Sequence, residues 1–451
     1  MPANHTMAPP MTLRTERLLS APILPTLARL SAPGVLLVAF QSMVSVGDTY
    51  FVARLGTAPL AGLALVFPLV MLLQMTSAGA MGGGVSSAIA RALGAGETGR
   101  ARRLVVHALA IAAAMAAAFT ILVLLFGRGI YALLGGSGAT LEAAAAYSSV
   151  VFGGAVFVWL ANTLASVLRG TGNMTVPAIA LIASALVHLP LSASLVLGLG
   201  PMPRLGIAGA GVAYIVTFGL AAVAMALVVF RAGSPLRPGR GDFRLEARLF
   251  RDILRVGAIS VLSAMQTVLT ALILTGFVGR FGAAALAGYG VGVRLELLQI
   301  PLVFAVGQAM VALVGANVGA GRLARARSIA WTGAALACSI SLAIGVAAFL
   351  FPLAWVGLFS DDPAVLEAGT RYLRIVALFY PFLALGIALY FASQGAAQVL
   401  RPVLAGTVRL LLVIAGGFLV HSLDGVFVLV GLGIAVFGLL TAWFVARSDW
   451  T

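Results

Sequence analysis

The chain has 451 residues, of which 61% are hydrophobic and only 9% charged, with a mean hydropathy of +1.10. A water-soluble domain carries about 25% charged residues and could not cover its surface with so few. The net charge of +15 would suit nucleic acid, but the basic residues lie singly or in short groups between apolar runs, which excludes a basic binding face.

Apolar stretches of about 20 residues recur along the chain, each long enough to cross a bilayer as a helix. A membrane β-barrel would alternate apolar and polar residues in segments of about ten. The runs are continuous, so the expected fold class is an all-α polytopic membrane protein. Residues 1–10 carry no positive charge and no apolar stretch with a cleavage site precedes Arg14, so no cleaved signal peptide is expected. Residues 14–29 read as a short amphipathic lead into the first span.

About twelve spans follow in order, centred on 31–53, 58–81, 104–126, 145–168, 175–199, 206–230, 253–279, 284–310, 328–351, 372–393, 402–420 and 425–446. Pro33, Pro68, Pro190, Pro301 and Pro381 lie in or near them, as suits bent, closely packed membrane helices. All 28 basic residues are Arg. Alternating spans place 20 of them on one side and six (Arg54, Arg128, Arg204, Arg280, Arg371, Arg374) on the other, with Arg294 and Arg409 inside spans. The positive-inside rule then predicts that both termini are cytoplasmic. The polar stretch 231–255, with seven Arg, reads as a cytoplasmic linker whose end (243–250) is amphipathic. The expected organisation is a segment 1–29, a six-helix N-lobe 30–230, a linker 231–252, a six-helix C-lobe 253–446 and a tail 447–451. The lone Cys338 excludes an internal disulfide and reads as a buried structural thiol.

The halves repeat. Gly94-Ala95-Gly96 with Arg100-Ala101-Arg102 recurs as Gly319-Ala320-Gly321 with Arg325-Ala326-Arg327, 225 positions later. Gly170 and Pro177 recur at the same offset as Gly395 and Pro402. Arg54, Gly56 and Leu60-Ala61-Gly62 recur 226 positions later as Arg280, Gly282 and Leu286-Ala287-Gly288. Six spans per half is an even number, so both halves insert in one orientation. A pseudo-two-fold axis along the membrane normal and a central cavity are expected, as in transporters.

These landmarks resemble the MATE (multidrug and toxic compound extrusion) family, including its bacterial NorM- and DinF-like members. Val46-Gly47-Asp48-Thr49-Tyr50 with Arg54-Leu55-Gly56 is similar to the family's first-span Asp motif. Gly82-Gly83-Gly84 leading to Gly94-Ala95-Gly96 resembles its second-to-third loop. Arg169-Gly170-Thr171-Gly172-Asn173 resembles the fourth-to-fifth loop. Leu205-Gly206-Ile207-Ala208-Gly209-Ala210-Gly211 resembles the start of its sixth helix. The resemblance covers about residues 30–446 and implies an antiporter that exports organic, often cationic, compounds against H⁺ or Na⁺. Where many members carry Asn and Asp four apart in the fifth span, this chain has His188 and Ser192. The family's seventh-span Glu and tenth-span Asp have no counterpart here.

Asp48 is the one carboxylate deep in the N-lobe spans. A charge at that depth costs roughly 2.5–3.5 kcal/mol on insertion scales and marks function by default; the bland alternative is a helix-end Asp bridged to Arg54. His188 and Ser192 share a helix face, and histidine is the side chain suited to relaying protons near neutral pH; the bland alternative is a hydrogen-bonded packing residue. The ion-binding candidates are Asp48, His188, Ser192 and Asn162. Gln41, Tyr214, Gln266, Tyr289, Arg294 and Glu296 are candidate cavity-lining residues, with Glu296 paired to Arg409 as the structural alternative. His107 reads as interfacial. No metal site and no cofactor are expected beyond the coupling ion. With no Lys, no phosphate-binding loop of the G-x-x-x-x-G-K-[ST] type exists, so ATP does not drive this chain. The expected partners are a small organic substrate and the lipid bilayer, without nucleic acid, and the expected state is a monomer. A flippase for a lipid-linked oligosaccharide or related lipid carrier is the alternative function. A membrane enzyme is not supported, since His, Asp and Glu form no cluster with metal-like spacing.

Overall fold

The structure, a computed structural model, describes residues 13–450; the reading of residues 1–12 lies outside the described residues. Helices account for all regular structure among them. α1 (Leu13–Ser20) precedes α2 (Ile23–Ala53). α3 (Thr57–Gln74) runs through a π-helical turn, Met75–Met81, into α4 (Gly82–Gly94), and α5 (Thr98–Leu133) follows. α6 (Gly138–Gly153) and α7 (Ala155–Gly170) form one span bent by 48°. α8 (Thr175–Leu197) and α9 (Ile207–Phe230) complete the first half.

After a 3₁₀ turn at Arg240–Phe243 come α10 (Ala247–Gly279), α11 (Ala283–Gly319), α12 (Leu323–Leu350) and the short α13 (Pro352–Val356). α14 (Pro363–Val376) continues through a 3₁₀ turn, Ala377–Phe379, into α15 (Tyr380–Gly395). α16 (Leu400–Leu419) and α17 (Leu423–Ala446) close the chain. Among the described residues eleven segments are long and apolar enough to cross a membrane, and counting α6–α7 as one span gives twelve. Lipid tails are as apolar as Leu, so burial of apolar surface does not drive such helices together. Leu122, Leu125, Phe126 and Leu227 accordingly point outward, and small residues sit where helices touch.

Those small residues carry the repeat into three dimensions. A Cβ on Gly62 would lie 2.9 Å from Ala143 Cβ, and one on Gly288 would lie 2.7 Å from Ala368 Cβ. Gly170 faces Ser86 O and Ile89 as Gly395 faces Val311 O and Val314. Gly82 meets Ser166, and Gly307 meets Phe391. The matched positions are again 225 apart, or 226 for Gly62 and Gly288, so the two halves use one packing scheme. The helix-ending glycines match as well: Gly96 (φ 77°) and Gly321 (φ 72°) both take the left-handed conformation that stops a helix at low cost.

The chain divides into two packed units, residues 32–257 and residues 13–31 with 258–450. The boundaries fall inside the first helix of each half, α2 and α10, rather than at 29/30 and 252/253. In the first unit the arginines around the repeated motif hold the start of α10. Arg100 pairs with Asp252, Arg91 approaches Asp252 at 3.9 Å, Arg103 pairs with Glu246, and Arg102 lies 3.5 Å from Asp242. His107, near the start of α5, is fully buried. Its Nδ1 lies 2.7 Å from Arg103 O, its Nε2 accepts the Glu246 N–H at 2.8 Å, and Phe250 packs edge-on against its ring.

In the second unit Arg325, at the place of Arg100, holds α1 together with Asn317 and Arg322. Asn317 donates to Leu18 O at 3.0 Å, Arg322 to Leu19 O at 2.9 Å, and Arg325 to Ala21 O. These carbonyls close the C-terminal end of α1, where orphaned acceptors and the helix dipole favour cations. Arg327 takes Ser448 O at 2.8 Å. Each half therefore binds the segment that leads into the other half's first helix, with Arg100 in one repeat and Arg325 at the matching place in the other.

Candidate functional site: a carboxylate, a histidine and two hydroxyls

α2 is a 31-residue helix with no charged side chain in its last 24 residues except Asp48. Gly47, beside it, lets the chain run close to Leu189 of α8. That approach brings Asp48, with a side chain 14% exposed, against two α8 residues spaced one helical turn apart. His188 Nε2 stands 2.9 Å from both Asp48 oxygens. Ser192 Oγ donates to Oδ1 at 2.5 Å. His188 is 2% exposed and Ser192 fully buried. On the far side of the ring, Nδ1 lies 3.3 Å from Thr217 Oγ1 of α9, and Thr217 donates to Ala213 O at 2.8 Å and Tyr214 O at 3.0 Å.

Asn162 is not part of this cluster. Its amide donates to Gln74 Oε1 at 3.0 Å and Ser77 Oγ at 2.8 Å, and Gln74 in turn donates to Tyr214 OH at 2.6 Å. This second network is assembled at the π-helical turn of span two, a distortion often found at functional positions. Tyr214 and Thr217, one turn apart on α9, connect the two networks. Arg54 does not bridge Asp48 but bonds to the hydroxyl of its own neighbour Tyr50. Gln41 is exposed on α2. Thr217, Gln74, Ser77 and the buried Tyr147 were not singled out by sequence reasoning. Each is a polar residue within an apolar run, and only that interruption could have flagged it, because its partners come from other helices.

The C-lobe candidates group differently. Glu296 accepts from Tyr372 OH, and not from Arg409 as the structural alternative would have it. Tyr289 stands edge-on to Tyr372 with ring centroids 5.3 Å apart. Arg294 lies over Phe359, and Arg409 over Phe437. Gln266 donates to Thr407 at 2.8 Å and joins none of these. Cys338 is half-buried and faces Pro381 O.

At the repeat offsets the counterparts of Asp48, His188 and Ser192 are Leu274, Val413 and Gly417. All three are buried, and the Phe277 ring occupies the space that a side chain at Gly417 would need. The carboxylate cluster therefore belongs to the N-lobe alone.

The chain is similar to known membrane transporters over most of its length. It is 28% identical to the "FAD transporter" of Shewanella oneidensis, covering 83% of this chain and 82% of that protein. It is 25% identical to the "Probable multidrug resistance protein NorM" of Thermotoga maritima, covering 84% and 81%. A solved MOP-superfamily transporter from Pyrococcus furiosus shares the fold with a TM-score of 0.88 at 23% identity, over 97% of this chain and 98% of that one. The sequence profile of the MatE family matches residues 33–194 and 259–419, one match in each half. The chain therefore belongs to the MATE family, whose members are membrane transporters and not enzymes.

Proposed function

We propose that this transporter is a secondary active antiporter of the bacterial inner membrane, with both termini cytoplasmic. It exports organic compounds, cations among them, in exchange for H⁺ or Na⁺ by alternating access between its two lobes. The observation that carries this reading is the Asp48 cluster. A carboxylate at membrane depth is costly to insert, and here it is held by two side chains of another helix instead of being removed to the surface. Its charge state is thereby tied to the seating of α2 against α8, which is what coupling an ion to a conformational cycle requires. The test is transport by the purified chain in proteoliposomes under imposed H⁺ or Na⁺ gradients, against a panel of organic cations. Uphill export under one of the gradients supports the reading, and purely downhill movement under both refutes antiport.

A second reading concerns substrate charge. The similarity to a protein named as an FAD transporter, together with Arg294 and Arg409 beside Glu296 in the middle of α11 and α16, favours an anionic compound such as a flavin dinucleotide. FAD belongs in the same transport panel.

A further inference from the structure

The first turns of α10 carry a row of positive charge with no internal counter-charge. The stretch 240–255 holds three acids, and arginines of α5 engage all of them: Asp252 pairs with Arg100, Glu246 with Arg103, and Asp242 lies 3.5 Å from Arg102. Arg248, Arg251 and Arg255 follow at i, i+3 and i+7 of α10, which places them on one helix face. All three are exposed, and among the described residues none of them forms an ion pair.

This arrangement is unfavourable by itself. Like charges one turn apart on a helix repel, and cations in the first turns meet the positive end of the helix dipole. Arg255 is also in electrostatic contact with Arg91, which already approaches Asp252 beside Arg100. The positive-inside rule asks for arginines on this side of the membrane, but not for three on one face of a helix. Nor does the packing scheme shared by the halves require them. At the repeat offset of 226 positions, their counterparts at the start of α2 are Pro22, Pro25 and Arg29.

Apolar side chains border the row. Phe243 and Leu245, just before the helix, are exposed. Phe250 and Leu254 line an open recess of about 1010 Å³ together with the three arginines. Asp252 also lies on its wall, with its charge engaged by Arg100. Here α10 passes from the polar linker into its apolar run, so the guanidinium groups stand at headgroup depth beside apolar surface. A free anion would use the arginines alone, whereas a lipid uses both parts of the recess. We propose that this recess binds an anionic phospholipid, with Arg248, Arg251 and Arg255 on the headgroup phosphate and Phe250 and Leu254 against the first acyl carbons. Guanidinium groups suit that role because their paired N–H groups match phosphate oxygens. The proposal does not depend on the antiport reading.

Native mass spectrometry of the delipidated full chain tests it, with dioleoyl-phosphatidylglycerol, dioleoyl-phosphatidylcholine and inorganic phosphate as probes. The first phosphatidylglycerol should bind more tightly than phosphatidylcholine, which has the same acyl chains, and inorganic phosphate should not displace it. Combining Arg248→Gln, Arg251→Gln and Arg255→Gln should weaken that first binding step by on the order of a hundredfold, at about fivefold per arginine. Should the triple variant fail to fold, Arg251→Gln alone should show the fivefold loss. Combining Arg231→Gln, Arg237→Gln and Arg240→Gln removes the same charge outside the recess and should leave the first step unchanged. Equal losses in the two triple variants would show diffuse attraction by net charge and overturn the site. Equal binding of the two lipids overturns it as well. Displacement of phosphatidylglycerol by inorganic phosphate would refute the lipid as the ligand.

Discussion

Ser192 on α8 and Gly417 on α16 stand 225 positions apart at matching places in the fifth helix of each half, yet one donates to a carboxylate and the other makes room for the Phe277 ring. One backbone scheme thus supports a polar site in one half and a packed apolar contact in the other.

That contrast predicts opposite effects of small changes. Ser192→Ala removes a hydrogen bond to a charged group, of the kind worth about 1.5–3 kcal/mol, and should impair coupling more than it impairs folding. Gly417→Ala overpacks the contact with Phe277, at a cost of about 1–3 kcal/mol, and should lower thermal stability in detergent without altering ion dependence. Unfolding midpoints and gradient-driven export, measured on both variants, separate the two effects.

Asp48→Asn should abolish gradient-driven export while leaving expression and membrane insertion intact. The amide keeps the shape, lacks the negative charge that would hold a coupling ion, and inserts at least as easily as the carboxylate. Glu296→Gln is the control, with a smaller loss expected, since its partner in the structure is a Tyr hydroxyl. Uphill efflux by both variants in matched vesicles decides the point: full activity of Asp48→Asn would remove the carboxylate from the coupling path, and a dead Glu296→Gln would move the site to the C-lobe.

The arginines that hold the start of α10 predict a stability difference between two ion pairs. Asp252 faces both Arg91 and Arg100, and all three side chains are 30% exposed or less. Asp252→Asn leaves two arginines facing each other and should cost about 1–3 kcal/mol. Glu142→Gln breaks the exposed pair with Arg128 and should cost no more than about 1 kcal/mol. Equal unfolding midpoints for the two variants would show that the α10 clamp contributes nothing.

Orientation is checked by labelling. With Cys338 replaced and a cysteine placed at Ser234, a membrane-impermeant maleimide should fail to label intact cells and should label inverted vesicles. Ready labelling from outside would reverse the topology inferred from the 20-to-6 distribution of arginines.

Length and apolarity alone determined the all-helical, twelve-span organisation, because a bilayer leaves a backbone no other way to satisfy its hydrogen bonds over so many continuous apolar runs. The repeat was equally legible. Gly62 with Gly288 and Gly170 with Gly395 recur because close helix contacts admit no side chain, and that constraint stays at fixed positions in the chain. Asp48, His188 and Ser192 could be singled out as polar residues in apolar surroundings, but their meeting could not, since 140 positions separate Asp48 from His188. Only the tertiary structure decided that Asp48 faces His188 and not Arg54, that Asn162 belongs with Gln74 and Ser77, and that Glu296 is held by Tyr372. It likewise decided that each half grips the lead-in segment of the other half's first helix. The periodicity of a helix specifies which of its own residues share a face. Which face of another helix they meet depends on packing between segments far apart in the chain, where a rotation of one residue, about 100°, exchanges one partner for another.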